Sequence, residues 1–247
     1  MRVIAIIPAR LNSKRFPRKL LEKLNGIPLI VMTYRNLLSM KIFDEIIVAT
    51  NSVEISKTVE KNGGKVFISK KKHLCGSDRV SEASVNFKSD IVINVQGDEP
   101  FVSLKSIKKI IDFFKGNLKK NIPVVSLMYK TNDPELISNE NCVKVVLDKN
   151  DFAMYFSRSK IPFLRNPVND FNFYIHIGVY GFLSQSIIQF SSMKPSKLEK
   201  VEMLECIRFI ENGKKIKMIQ VERATIGIDT PNDLIKAKKY LESIQNV

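Results

Sequence analysis

Val3–Ile7 is an unbroken apolar run closed by Pro8, the pattern of a strand buried on both faces of a parallel sheet. Helical spacing follows over 28–40, with Leu29, Ile30, Thr33 and Leu37 on one side. A second apolar run, Glu45–Thr50, leads to Asn51 and Glu54, a capping-box spacing that predicts a helix over 52–61. Asn62-Gly63-Gly64 ends that helix. Lys65–Ile68 is a short third strand, and a polar loop over 69–77 leads to a helix over 78–87. Ile91–Val95 is a fourth strand, running into Gln96-Gly97-Asp98-Glu99-Pro100. Strands alternating with helix-length crossovers predict a parallel sheet wound on both sides. Ligands in such sheets bind beyond the carboxyl ends of the strands. The polar segments 9–19, 69–79 and 96–100 should therefore share one site.

After a helix over 103–118 the pattern changes. Strand candidates Val124–Met128, Val143–Leu147, Phe152–Phe156 and Tyr174–Phe182 follow with fewer helices between them. This predicts a mixed or antiparallel extension. A helix over 198–211, ended by Asn212-Gly213, and short strands at Lys217–Val221 and Ile226–Ile228 come next. Thr230-Pro231 then opens the last helix, with Thr as N-cap and Pro at the first helical position. No Pro/Ser-rich linker interrupts the 247 residues, so one α/β domain over 1–247 is expected, with halves 1–118 and 119–247.

Composition narrows the classes. Hydrophobic residues at 44% and charged residues at 26% are ordinary globular usage. No apolar run reaches the ~18 residues of a membrane span, and the first residues read as a strand, not as a signal peptide. Cys75, Cys142 and Cys206 are far apart and form no CxxC pair, which fits reduced thiols in the cytoplasm. Net charge is +15, but 30 of the 40 basic residues are lysines spread along the chain. The runs Lys70-Lys71-Lys72 and Lys119-Lys120 carry no interleaved aromatics, so a soluble basic surface is favoured over a nucleic-acid groove.

Arginine and lysine concentrate where chemistry is expected. Arg10, Lys14, Arg15, Arg18 and Lys19 crowd the loop after the first strand, without a Gly-x-x-x-x-Gly-Lys or GxGxxG pattern. At a strand's carboxyl end such a loop suits phosphate oxygens. Asp98 and Glu99 end an apolar strand at the same edge. Phosphates beside a carboxylate suit Mg²⁺. Asp229 is a second candidate ligand, with a helix-dipole role as its equal alternative. His176 in an apolar strand reads first as a core residue, and nothing in the chain makes a zinc cluster.

Taken in order, these segments resemble the 3-deoxy-D-manno-octulosonate (KDO) cytidylyltransferase family, also called CMP-KDO synthetases. The resemblance rests on Ile7-Pro8-Ala9-Arg10 with Ser13, Arg15, Pro17 and Lys19, then Ile47–Thr50, Gly76-Ser77-Asp78-Arg79 and Asn94–Pro100. It continues through Val143–Asp148, Tyr155–Arg158, His176–Gly181, Glu202–Glu205 and Gly227–Leu234, nearly end to end. It implies a nucleotide-diphospho-sugar transferase-like fold and transfer of CMP from CTP to an eight-carbon acid sugar, for lipopolysaccharide synthesis. It also implies Asp98 and Asp229 as Mg²⁺ ligands and, with Lys19, as catalytic residues. Arg10, Ser13, Arg15, Lys19, Gly76, Ser77 and Arg79 would serve the nucleotide, and Gln96, Arg158, His176 and Glu205 the sugar. A homodimer built through the second half is implied too, with neither nucleic acid nor membrane as partner. Three departures stand out: Arg18 where the family often has glycine, Leu20 where it often has proline, and Cys75-Gly76-Ser77-Asp78-Arg79 where Ser-Gly-Thr-Glu-Arg is familiar.

Rivals are CMP-sialic acid synthetase, the same reaction on an 8-amino analogue of KDO, a basic nucleic-acid-binding module, and a catalytically dead nucleotide-binding regulator. The first differs in its loop, where this chain has Asn12 and Arg15 at glycine positions, and it lacks the Gln96–Pro100 block. The dead regulator is disfavoured by the presence of Lys19, Asp98 and Asp229.

Overall fold

The computed structural model describes residues 1–13, 15–117, 122–166, 171–222 and 226–245. Lys14, the end of the helix expected over 103–118 and the Lys119-Lys120 run lie outside them. The chain forms two compact units, one of residues 1–104 with 225–247 and the other of residues 105–224. The C-terminal helix thus belongs to the unit of the N-terminal strands, a division that differs from a single boundary at 118.

In the first unit β1 (Val3–Ala9) is buried along its whole length, as its continuous apolar run requires. A small hairpin follows, β2 (Lys23–Leu24) and β3 (Ile27–Pro28). Its turn residues Asn25 and Gly26 have φ of 50° and 78°, the Asn-Gly turn that matches strand twist. Then come α1 (Leu29–Ser39), β4 (Glu45–Thr50), α2 (Val53–Lys61), β5 (Lys65–Ile68), α3 (Gly76–Ser84) and β6 (Ile91–Val95). β1 pairs in parallel with β4 and β6, and β4 with β5, giving the order β6-β1-β4-β5. The chain steps outward from β1 to β5 and then returns to the other side of β1. With right-handed crossovers, α1 and α2 cover one face and α3 the other. The winding reverses between β1 and β6, so the ligand crevice of this sheet opens beyond their carboxyl ends.

The second unit holds α4 (Leu104–Asn117), β7 (Val124–Thr131), α5 (Pro134–Ser138), β8 (Lys144–Leu147), β9 (Ala153–Ser157) and β10 (Phe173–Leu183). It continues with α6 (Ser184–Phe190), α7 (Lys197–Glu202), α8 (Cys206–Glu211) and β11 (Ile216–Val221). β10 is antiparallel to β7 and β8, β8 is antiparallel to β9, and β11 runs parallel to β7. This is the mixed extension that the fading helical pattern predicts. β10 shifts register between Ile177 and Tyr180. The fully buried Ser126 serves that irregularity by donating to Val179 O at 2.9 Å.

Local chemistry moves several boundaries. Ser52, not Asn51, caps α2, accepting from Ile55 N. α3 begins at Gly76, two residues early, because Cys75 and Asp78 form a capping box. The helix expected over 198–211 is two helices, since Met203 at φ 55° ends α7. Ile226–Ile228 is not a strand; Ile228 N donates to Asp98 O at 3.0 Å instead. Thr230 and Pro231 do open the last helix, Pro231–Gln245. Asp233 Oδ2 accepts from Thr230 N at 2.8 Å and Thr230 Oγ1 from Asp233 N at 3.3 Å.

Candidate active site

The loop after β1 is short of regular structure but not of hydrogen bonds. Arg18 N donates to Leu11 O at 3.1 Å, closing it, and Lys19–Leu21 forms a 3₁₀ turn. Arg18 sits at φ 59°, a conformation that glycine adopts without strain. Its guanidinium pairs with Glu54 on α2. The extra cation is thus engaged with the first turn of a neighbouring helix.

The turn carries Lys19 inward. Its ammonium donates to Asp98 Oδ2 and, at 2.9 Å, to Asp229 Oδ1. Arg15 reaches the same Asp229 oxygen at 2.9 Å. The Lys19 side chain is 11% exposed, against 24% for Asp98 and 40% for Asp229. Burial alone would lower the Lys19 pKa, but Asp98 and then Asp229 outweigh it, and the net shift is upward. Both carboxylates face one nitrogen, so their oxygens lie within two hydrogen-bond lengths, about 6 Å.

Packing explains why they meet. A Cβ on Gly97 would stand 3.2 Å from side-chain carbons of Leu20 and Ile30, so the backbone before Asp98 lies tight against the neighbour of Lys19. Thr33 on α1 donates to Gly97 O at 2.8 Å. Gly227 lies where a Cβ would be 2.9 Å from Glu99 Oε1, which brings the chain before the last helix against the end of β6. Thr230 and Asp233 cap that helix, and Asp229 Oδ1 turns to Lys19 and Arg15.

The second polar loop arrives beside the first. Gly76 leaves room for Gln96 Oε1 and Pro8 Cγ, 3.1 and 3.4 Å from where its Cβ would be. Gln96 donates to Asn94 Oδ1 at 3.2 Å, and Asn94 to Ser77 Oγ at 3.3 Å. Arg79 is 6% exposed, and its Nη1 is buried without a hydrogen-bond partner. Burial lowers its pKa, Glu82 works against that, and Arg10 adds to it. A buried guanidinium with an open donor, close enough to Arg10 to feel its charge, is poised for an anion. Ser13 is half-buried within the basic loop. Lys19, Asp98, Asp229, Arg10, Arg15, Gly76, Ser77, Arg79 and Gln96 all belong to this unit, around the crevice that the sheet reversal creates.

The remaining expected sugar residues belong to the second unit. Arg158 follows β9. Its Nε donates to Glu202 O at 2.8 Å and its Nη1 to Glu140 O at 3.0 Å. His176 on β10 is half-buried in its aromatic cluster, with Nε2 2.9 Å from Ser126 Oγ. Its ring packs against Phe156 and Tyr180, with centroids 5.0 and 5.3 Å away. Burial pushes its pKa down to about 3, so the imidazole is neutral at working pH. Glu205 stands at the N-cap of α8.

Sequence reasoning assigns no role to two supporting residues. Lys144, fully buried, donates to Asn139 O, Cys142 O and Arg158 O. Glu202 accepts from Ser157 Oγ at 2.6 Å and Arg158 N at 2.9 Å. Both fall within segments that carry the resemblance, Val143–Asp148 and Glu202–Glu205, and a lysine opening an apolar strand was a further signal for the first.

Among the described residues no cluster of three or more His, Cys, Asp or Glu side chains could hold a metal by itself. Two converging carboxylates do suit a hard cation that takes its other ligands from substrate phosphates and water. No helix among the described residues is long and apolar enough to cross a membrane.

The family model described as cytidylyltransferase matches residues 4–216. A 3-deoxy-manno-octulosonate cytidylyltransferase from Christiangramia forsetii is 44% identical over 240 residues, 97% of each chain. One from Flavobacterium johnsoniae is 43% identical over 244 residues, 99% of this chain and all of the other. A solved CMP:2-keto-3-deoxy-manno-octonic acid synthetase complexed with CTP superposes at a TM-score of 0.90 with 30% identity, over 99% of this chain and 100% of that one. A 4-diphosphocytidyl-2C-methyl-D-erythritol synthase from Anaerococcus prevotii shares the fold at a TM-score of 0.63, with 20% identity over 98% of each chain.

Proposed function

The chain belongs to the cytidylyltransferase family of 3-deoxy-manno-octulosonate-activating enzymes, and we propose that it transfers CMP from CTP to that eight-carbon acid sugar. The anomeric hydroxyl oxygen bonds to the α-phosphorus, the bond to the bridging oxygen breaks, pyrophosphate leaves and the hydroxyl proton is lost. Both substrates are anions, so the barrier is dominated by charge and orientation. The observation that carries this reading is Lys19 held by Asp98 and Asp229 at the sheet reversal.

Within this reading Lys19, Arg10, Arg15 and Arg79 neutralise the triphosphate, with Ser13, Gly76 and Ser77 shaping its cradle. Asp98 and Asp229 are the residues that would hold Mg²⁺, which when bound neutralises phosphate charge and polarises the phosphoryl oxygens. Gln96, Arg158, His176 and Glu205 serve the sugar. A neutral His176 acts there by hydrogen bonding, not as a cation. A homodimer in the cytoplasm, feeding lipopolysaccharide synthesis, and a single functional domain with nucleotide and sugar halves complete the proposal. Support for CTP and the acid sugar as substrates comes from the names of the relatives and from the CTP complex of the structural neighbour.

The test is pyrophosphate release with CTP, UTP and ATP, each against KDO, 8-amino-KDO and sialic acid, with and without Mg²⁺. Release only with CTP, KDO and Mg²⁺ is the expected result. Preference for the 8-amino sugar reassigns the substrate, and no release with any pair overturns the reading.

A further inference from the structure

A buried polar cluster outside this machinery joins the loop after β5 to α3. Glu82, 13% exposed at the side chain, takes three donors from one stretch of chain. Ser69 Oγ donates to its Oε2, His73 Nε2 lies 2.6 Å from the same oxygen, and Lys70 N donates to Oε1 at 3.1 Å. Ser69 Oγ is also 2.8 Å from His73 Nε2, and the His73 side chain is only 7% exposed. A nucleophilic triad places serine and carboxylate on opposite ring nitrogens. Here both face Nε2, so the cluster holds and does not react.

What it holds has a definite course. Ser69 N donates to Thr50 O at 2.8 Å, anchoring the loop's start at the end of β4. Its other end, Gly76, lies against Pro8 and Gln96, at β1 and β6. Between them the loop crosses about two strand spacings, ~10 Å, along the carboxyl edge where ligands bind. It then delivers Gly76, Ser77 and Arg79 to the crevice. Lys70, Lys71 and Lys72 on this loop are exposed.

We infer that Ser69, His73 and Glu82 form a positioning clasp that presets the 70–79 segment for the nucleotide, with His73 and Ser69 acting through that segment and not on the reacting atoms. The inference rests on the cytidylyltransferase reading and adds residues to its nucleotide site. Releasing the clasp costs CTP affinity because the unbound loop then samples other conformations, and binding must order it. Chemistry in the filled site is unchanged.

The variants cut the clasp from the loop side, so that Glu82 keeps its charge beside Arg79. His73→Leu and Ser69→Ala should each raise the CTP dissociation constant (calorimetry) and KM for CTP about tenfold, with kcat and the sugar KM within about twofold of wild type. Trypsin should cut at Lys70–Lys72 faster in both. His73→Gln, which still offers a donor to Glu82, should recover most of the affinity. Unchanged CTP affinity in both variants overturns the inference, as does a joint fall of kcat and melting temperature that His73→Gln fails to rescue. If wild type binds no CTP, the functional reading falls and the inference with it; if wild type binds and the variants match it, the inference alone falls.

Discussion

Lys19 and Asp229 are 210 positions apart, yet Lys19 Nζ donates to Asp229 Oδ1 at 2.9 Å while also holding Asp98. The ammonium keeps two carboxylates together where they would otherwise repel. Replacing Lys19 with Ala should lower kcat by about 10²–10³-fold, the loss typical of one preorganised charge at a developing anion. It also leaves Asp98 and Asp229 facing each other, so added Mg²⁺ should raise the melting temperature of this variant more than that of wild type. Pyrophosphate release and thermal scans with and without Mg²⁺ check both parts. Asp98→Asn and Asp229→Asn should also be nearly inactive.

The raised Lys19 pKa sets a pH window. A cation whose folded pKa lies above its unfolded value contributes stability that is complete below the unfolded value and is lost as pH rises through the folded one. With an ordinary value of 10.5, the stability difference between wild type and Lys19→Met should stay flat through neutral pH and shrink only above that value. Denaturant titrations from pH 7 to 11 measure it.

His176 behaves in the opposite sense. Its folded pKa, about 3, lies below the ordinary 6.5, so the unfolded chain binds the extra proton first. Its contribution is complete above 6.5 and declines as pH falls from there toward 3. Stability should therefore fall more steeply below pH 6.5 in wild type than in His176→Gln, and the rate profile of wild type should show no limb from His176 between pH 5 and 8.

Arg18 offers a near-neutral substitution. Arg18→Gly relieves a left-handed residue of about 1 kcal/mol and loses an exposed ion pair of ~0–1 kcal/mol. The melting temperature should move by no more than a few degrees, and KM for CTP should stay within about twofold, because the guanidinium already faces Glu54.

Gly97→Ala tests the packing that sets Asp98. The added methyl would stand 3.2 Å from Leu20 and Ile30 carbons, and overpacking of this kind costs about 1–3 kcal/mol. Because Leu20 adjoins Lys19, the strain should appear in kcat as well as in melting temperature. Steady-state kinetics beside calorimetric melting separate the two.

Much of the first unit was legible because its signals are local. Val3–Ile7 is apolar on both faces and Ile91–Val95 is so apart from Asn94, the pattern of strands in a covered parallel sheet, and both are parallel strands. Thr230-Pro231 marks a helix start that the structure keeps. The Asn25-Gly26 hairpin had its signal too, but strands of two residues are too short for periodicity to register. Where local patterns were ambiguous, tertiary contacts decided. The apolar spacing over 198–211 suits one helix, but Met203 turns left-handed and Glu202 goes to Ser157 and Arg158. Ile226–Ile228 is apolar enough for a strand but spends a backbone donor on Asp98 O.

The amino-acid order alone determined the alternating strands and helices of the first unit, the basic loop after the first strand, the acidic end of the fourth, and, through its resemblance, the chemistry to look for. Spacing alone left Asp229 evenly divided between metal ligand and helix-end charge, since either role needs only an acid before a helix; the resemblance favoured the ligand. The folded chain turned its carboxylate to Lys19 by supplying the cap from Thr230 and Asp233 and by fitting Gly227 against Glu99. Periodicity reports which face of an element is buried, whereas the meeting of side chains from positions 19, 98 and 229 depends on close packing between segments that share no local pattern.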